Sequence, residues 1–91
     1  MHKKIVLEII GKVQGVLYRV NTMNKAKELN LTGYVKNNKD GTVEIIAEGE
    51  ENNLKNLIIW CYQGSPNANV EKIKENWKNY IGDFNSFEIK H

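Results

Sequence analysis

The chain has 91 residues, 41% hydrophobic and 26% charged, with a formal net charge of +2, the composition of a folded globule with room for one core and hence one domain, residues 1–91. No stretch approaches the roughly 20 apolar residues of a membrane span, and the basic-then-apolar start, MHKKIVLEII, is broken by Glu8 and lacks a leader's small-residue cleavage site. So small a net charge gives no argument for a nucleic-acid partner.

Lys4 to Ile10 is rich in β-branched residues and reads as a strand. Gly11-Lys12-Val13-Gln14-Gly15 follows, with two glycines that permit unusual backbone angles. A helix is expected from Arg19 to Asn30: Val20, Met23, Ala26 and Leu29 recur every third residue, and Asn30 suits a left-handed stop. Leu31 to Lys36 and Thr42 to Ala47 read as strands joined by the turn-forming run Asn37-Asn38-Lys39-Asp40-Gly41. Glu48-Gly49 marks a break before a second helix, whose Leu54, Leu57, Ile58 and Cys61 fall at i, i+3, i+4 and i+7 and which Gly64 and Pro66 end. Val70 to Trp77 is expected as a fourth strand despite Glu75 on its apolar face, and Ser86 to Lys90 as a short edge strand. The order β-α-β-β-α-β plus a tail strand predicts an α+β, ferredoxin-like split βαβ fold, with two helices on one face of an antiparallel sheet.

Several chemistries are hard to build from these residues. The two histidines, His2 and His91, lie at opposite ends of the sequence and read as solvated ends. With one cysteine there is no internal disulfide, no Cys/His metal cluster, and no interior histidine to serve a nucleophile as base. No metal or cofactor is expected. A lone cysteine agrees with a reducing, cytoplasmic setting, and a monomer is the default for a chain of this size and charge.

What remains is an anion site. The segment from Gly11 to Arg19 leaves a strand and enters a helix, where unsatisfied N–H groups and the helix dipole both favour negative charge. The glycines let successive amides turn inward as a nest. Twelve of the 13 cationic side chains are lysine, and the single arginine, Arg19, stands at this junction. A guanidinium grips two phosphate oxygens through its planar fork, where an ammonium is only a point charge. The bland alternative is a tight β-α turn with a solvated arginine. Asn37 is the second candidate: it ends strand two, which in this fold runs parallel to strand one, so both reach the same rim. A carboxamide there can hydrogen-bond water through its oxygen or its NH2. Equally, with 13 asparagines in the chain, it can be a turn residue.

Gly11-Lys12-Val13-Gln14-Gly15-Val16-Leu17-Tyr18-Arg19 resembles the first acylphosphatase signature, G-x-V-Q-G-V-x-(F/Y)-R, at every specified position. Gly33-Tyr34-Val35-Lys36-Asn37, followed by Gly41, Val43 and Gly49, resembles the second. Gly64-Ser65-Pro66 and Trp77 also fall where that family tends to have them, so the likeness covers essentially the whole chain. The resemblance implies hydrolysis of acyl phosphates to carboxylate and inorganic phosphate, with no metal or cofactor. It implies that Arg19 and the backbone amides of Gln14, Gly15, Val16, Leu17, Tyr18 and Arg19 hold the phosphoryl group, and that Asn37 orients the attacking water. Two departures from the family pattern, Asn30 for glycine and Glu75 for an apolar residue, lie away from that site.

Two rival classes share the fold. An RNA-recognition module needs aromatic residues on strands one and three, and KIVLEII and TVEIIA contain none. A non-catalytic regulatory module would use the loop to hold a phosphate-bearing effector, and would have no need of a water-orienting amide at position 37. Trp60, Tyr62, Trp77 and Tyr80 are expected mostly as core or half-buried packing, Cys61 as a small core residue, and Lys72, Lys74 and Lys78 as a solvated strand face.

Overall fold

The computed structural model describes residues 1–91. Its elements are β1 (His2–Lys12), α1 (Tyr18–Glu28), β2 (Thr32–Asn37), β3 (Val43–Glu50), α2 (Glu51–Gln63), β4 (Asn69–Asn79) and β5 (Phe87–Lys90). The strands form one sheet in the order β4-β1-β3-β2-β5. Every neighbouring pair is antiparallel except β2 and β5, which run parallel. This is the expected ferredoxin-like α+β arrangement.

Alternation of side chains selects the face that meets the helices. On β1, Ile5, Leu7 and Ile9 are fully buried, and they sit opposite Ala47, Ile45 and Val43 of β3, also fully buried. Val35 of β2 and Phe87 of β5 extend the same layer. From above, α2 contributes Leu54, Leu57, Ile58 and Cys61, the stripe expected from its spacing. Each such aliphatic side chain contributes about 1.5–3 kcal/mol by leaving water. No helix covers the other face. There Tyr34 donates to Glu44 at 2.5 Å and Lys74 lies 3.6 Å from Glu8.

Helix α1 differs from its expected pattern. Its buried side chains are Tyr18, Thr22 and Ala26, spaced by four, whereas Val20 is exposed. A threonine can occupy the buried stripe because its hydroxyl donates back to the Tyr18 carbonyl at 2.7 Å. The helix stops as expected at Asn30, whose φ is 57°. Leu31 N–H then donates to the Ala26 carbonyl and Asn30 N–H to the Lys27 carbonyl, a Schellman closure.

Strand β3 runs through Glu48 and Gly49 to Glu50, so the expected break there is absent. Glu48 is 1% exposed, and its carboxylate accepts hydrogen bonds from the backbone N–H groups of Ile81 (2.9 Å), Gly82 (3.2 Å) and Asp83 (3.1 Å). A buried carboxylate is tolerable when it is saturated with donors, and this one ties the β4–β5 connection to the sheet centre. The aromatics also divide differently from expectation. Trp60 is half-buried against the core, but Tyr62, Trp77 and Tyr80 are exposed. For Trp77 the cause lies in β4, an edge strand on which Ile73 is the one buried side chain. Glu75 is in phase with Ile73 on the helix side but stays solvated at the edge, and accepts from the Trp77 indole N–H at 3.2 Å.

Candidate active site

The site forms at the rim where β1 and β2 end and β3 begins. Val43, the first residue of β3, pairs with Ile9 on one side and Asn37 on the other. Two inter-strand steps of about 4.8 Å therefore place Asn37 roughly 10 Å from Ile9, level with the chain that leaves β1. Asn37 is in phase with Val35, so its side chain faces the helix layer. At Gly11 the β1–β4 register slips by a bulge, and a Cβ there would stand 2.2 Å from the Asn69 carbonyl oxygen. Only glycine permits this strand crossing, which turns the chain toward the site.

Beyond it, Gly15 (φ 74°) and Leu17 (φ 62°) are both left-handed, separated by one residue. Alternation of this kind rotates successive N–H groups to one side and makes an anion-binding nest. Leu17 is the residue before the first turn of α1, and no side chain caps that helix end, so its amides are left for a ligand. A leucine in this conformation costs about 1–2 kcal/mol. The strain is sustained by Tyr18, next in the chain, whose ring is 1% exposed and whose hydroxyl donates to the Cys61 carbonyl at 2.8 Å. Burial pushes the Tyr18 hydroxyl far above the usual phenol range, with the contact to Cys61 adding to it. Tyr18 is thus a neutral plug that fixes the start of α1 against α2.

Gln14 performs a second fixing task. Its side-chain Nε2 donates to the backbone carbonyls of Asn38 (2.8 Å) and Thr42 (2.9 Å), stapling the loop to the turn that follows Asn37. That turn is itself closed by Asn38 N–H donating to the Thr42 carbonyl at 2.9 Å and by Asp40 accepting from the Thr42 hydroxyl and N–H. Those Thr42 hydrogen bonds hold the Asp40 carboxyl below the usual range.

Arg19 and Asn37 line one cleft of about 250 Å³ together with Val13, Gly15, Leu17, Tyr18, Val20, Ile89 and His91. The structure therefore brings both side chains singled out in the sequence to the same opening as the nest. The Asn37 carboxamide oxygen is buried and has no hydrogen-bond partner. A buried acceptor left unpaired costs about 1–3 kcal/mol, and that cost is recovered when a donor reaches it. Two larger clefts, of about 590 and 580 Å³, lie between α2 and β4 and between the two helices. Neither is bordered by the nest or by the arginine, so chemistry rather than size selects the smaller one.

His91 was expected outside the site and lies within its wall, with Nδ1 3.5 Å from Arg19 Nη1. The parallel pairing of β5 with β2, which sets Lys90 beside Lys36, delivers it there. The Gln14 staple and the Tyr18 plug were also unforeseen. For Tyr18 a signal existed, since Tyr18, Thr22 and Ala26 are spaced by four. For Gln14 and His91 the spacing held none.

Comparison with known proteins agrees with this geometry. The acylphosphatase family model matches residues 5–89. The chain belongs to the acylphosphatase family. It is 46% identical over 85 residues to the acylphosphatase of Marinobacter nauticus, covering 93% of this chain and 92% of that one. It is 42% identical over 89 residues to the acylphosphatase of Caldanaerobacter subterraneus, covering 98% and 99%. The crystal structure of acylphosphatase from Bacillus subtilis superposes with a TM-score of 0.95 at 34% identity, over the full length of both chains. The acylphosphatase signatures thus correspond to physical parts: the first to the nest and its plug, the second to the β2 rim with Asn37.

Proposed function

We propose that Arg19 and the loop amides of Gln14 to Arg19 hold the phosphoryl group of an acyl phosphate while Asn37 places the attacking water. The activity, hydrolysis of an acyl phosphate to carboxylate and inorganic phosphate, follows from family membership. The assignment of roles is supported by the juxtaposition of nest, guanidinium and carboxamide around one cleft.

The chemistry needs few parts. Water attacks phosphorus in line with the bridging oxygen. The new P–O bond forms as the bridging P–O bond breaks, and the bond's electron pair leaves on the carboxylate. One proton of the water passes to a phosphoryl oxygen, so that the products are carboxylate and dihydrogen phosphate. A carboxylate is a stable anion, so no acid is required to release it. The loose transition state asks for little prior deprotonation of the water and for much stabilisation of charge on the equatorial oxygens. Fixed amides and one guanidinium meet that demand. Position is the other requirement, and a carboxamide that orients water without taking its proton meets it. No metal or cofactor enters this scheme. The enzyme is expected to work as a single-domain monomer, residues 1–91, in the cytoplasm, on a small-molecule substrate and without nucleic acid or membrane.

The unpartnered Asn37 oxygen carries the proposal. A residue kept only for its turn would use its oxygen on the turn. Benzoyl phosphate hydrolysis, followed by loss of ultraviolet absorbance, tests the reading with wild type and Asn37→Ala. Because removal of an unpaired buried acceptor breaks no hydrogen bond and relieves its burial cost, the variant is expected to be at least as stable as wild type. Its turnover is expected to be nearly lost, with KM little changed. Retained turnover would reduce Asn37 to a turn residue and favour the regulatory-module alternative for the loop.

A further inference from the structure

We propose that Leu17 and Val20 form a subsite for the acyl group of the substrate. It selects acyl phosphates whose acyl group is apolar, an alkyl chain or an aryl ring, over those whose acyl group carries a charge. The inference rests on the reading that Arg19 and the nest hold the phosphoryl group while Asn37 places the water. Two features of the structure lead to it: the direction in which the leaving group must point, and two apolar side chains that the fold itself does not explain.

Displacement at phosphorus is in line, so the attacking water and the departing carboxylate stand on opposite sides of it. The Asn37 carboxamide oxygen is buried, which puts the water at the floor of the cleft. The acyl group then points away from the floor, toward solvent. Burial grades the walls of the cleft in the same direction. Val13 and Tyr18, each 1% exposed, belong to the floor, whereas Leu17 is 71% and Val20 42% exposed at the mouth. An acyl group held by its phosphoryl end therefore leaves the cleft past Leu17 and Val20.

Neither side chain serves the fold. Leu17 is both exposed and left-handed, with φ at 62°, a conformation that glycine or asparagine adopts at lower cost. Its side chain gains nothing from burial to offset that strain. Val20 is the one exposed large hydrophobic side chain of α1, whose other exposed residues are Asn24, Lys27 and Glu28. Three residues apart at the first turn, Leu17 and Val20 are neighbours, and together they make one apolar patch beside the nest. Ile89 of β5 lines the same cleft and packs against the core, which continues the patch inward. Two exposed apolar side chains at the one opening through which a substituent must leave are explained by contact with that substituent. The same wall offers a charged acyl group no partner for the water it would shed there.

The test compares hydrolysis of acetyl, butyryl and hexanoyl phosphates, whose leaving carboxylates are nearly equal in basicity, so that the series varies apolar length alone. A methylene fully removed from water is worth roughly fourfold, and a wall open to solvent on one side recovers a fraction of that. Wild-type kcat/KM is expected to rise about tenfold from acetyl to hexanoyl phosphate. The gain is expected in KM with kcat steady, because the acyl contact is the same before and during the reaction. Val20→Thr keeps the shape of the side chain and adds a hydroxyl, and Leu17→Asn keeps the left-handed backbone. Each is expected to lower the hexanoyl-to-acetyl ratio about threefold, and the double variant to flatten the series. Ratios taken within one variant cancel any change in the grip on phosphate. Val20→Lys tests the discrimination against charge. It is expected to raise the ratio of 4-carboxybenzoyl to benzoyl phosphate roughly three- to tenfold, and the rigid ring keeps that carboxylate from attacking its own anhydride. A flat series in wild type, a slope that survives the double variant, or a ratio unmoved by Val20→Lys overturns the proposal. Arg19→Ala separates the two levels. If that variant stays active, the underlying site assignment fails. If it is inactive while the wild-type series is flat, the acyl subsite alone fails.

Discussion

At the scale of the residue, the chain retains one arginine among 13 cations, at the mouth of the nest. The fork geometry gives a reason for the exception, and it makes a sharp prediction. Arg19→Ala is expected to lower kcat/KM by about 10²–10³, the scale of losing a preorganised donor. Arg19→Lys is expected to recover little of it, because the ammonium restores charge without the paired donors. Near-wild-type kinetics from the lysine variant would show that position 19 requires only charge. Gln14 yields a prediction of a different kind. Gln14→Ala removes two hydrogen bonds to carbonyls, and the turn's own N–H groups still serve both: Gly41 N–H donates to Asn38 and Asn38 N–H to Thr42. The loss of stability is therefore expected to be only about 1–2 kcal/mol. Its effect on turnover is expected to be larger, on the order of 10²-fold, since an ångström of misplacement between loop and water is costly. A urea melt paired with kinetics separates the two, and proportionate losses would make Gln14 merely structural. Position 14 shows what the sequence conceals at this scale. The resemblance marks its amide, but the partners of its side chain are carbonyls 24 and 28 residues away, and no local pattern encodes them.

At the scale of the element, every strand and helix was legible from periodicity and turn chemistry, because each buries one face against a single layer. Helix α2 was read correctly down to the residue, since four apolar side chains at i, i+3, i+4 and i+7 leave no other face to bury. Helix α1 was misread because its buried stripe contains a threonine while an exposed valine offers a decoy. Glu48 was misread for a related reason. A glutamate before a glycine looks like a solvated break, and the donors that make its burial tolerable arrive from a connection more than 30 residues later. Its removal is accordingly expected to be felt beyond β3. Glu48→Ala orphans three N–H groups and unties the segment leading into β5. The expected loss is about 2–4 kcal/mol, near the upper end for a single substitution. Hydrogen exchange is expected to accelerate selectively at Ile81, Gly82 and Asp83. Unchanged protection at those amides would mean that the carboxylate does not hold them.

At the scale of the whole molecule, two ionisable groups sealed between α1 and α2 make stability depend on alkaline pH. Burial pushes the Cys61 thiol from 9.0 up to about 12, a rise only partly opposed by its hydrogen bond with Tyr18. Tyr18 is raised as well, chiefly by burial. Both shifts have the same sign: the folded state holds a proton that the unfolded state gives up more easily. Their contribution to stability is fully present below the unfolded thiol value of 9.0 and is lost as pH climbs from there toward about 12. The unfolding free energy is thus expected to be insensitive to these groups near neutrality and to fall progressively above pH 9. In Cys61→Ala the thiol's share of that slope should vanish, leaving the part due to the phenols, at a cost of about 1 kcal/mol at neutral pH from lost packing. The native thiol, fully buried, is expected to react with an alkylating reagent only on unfolding, so its labelling rate should track the same pH dependence. The coupling matters for the site because the phenol donates to the carbonyl of Cys61, the same residue that carries the thiol, where Tyr18 fixes the start of α1. Ionising either one loosens the plug behind the phosphate nest. Catalytic activity is therefore expected to decline in alkali before the far-ultraviolet circular dichroism does. Simultaneous loss of activity and secondary structure would show that the plug yields only with the fold.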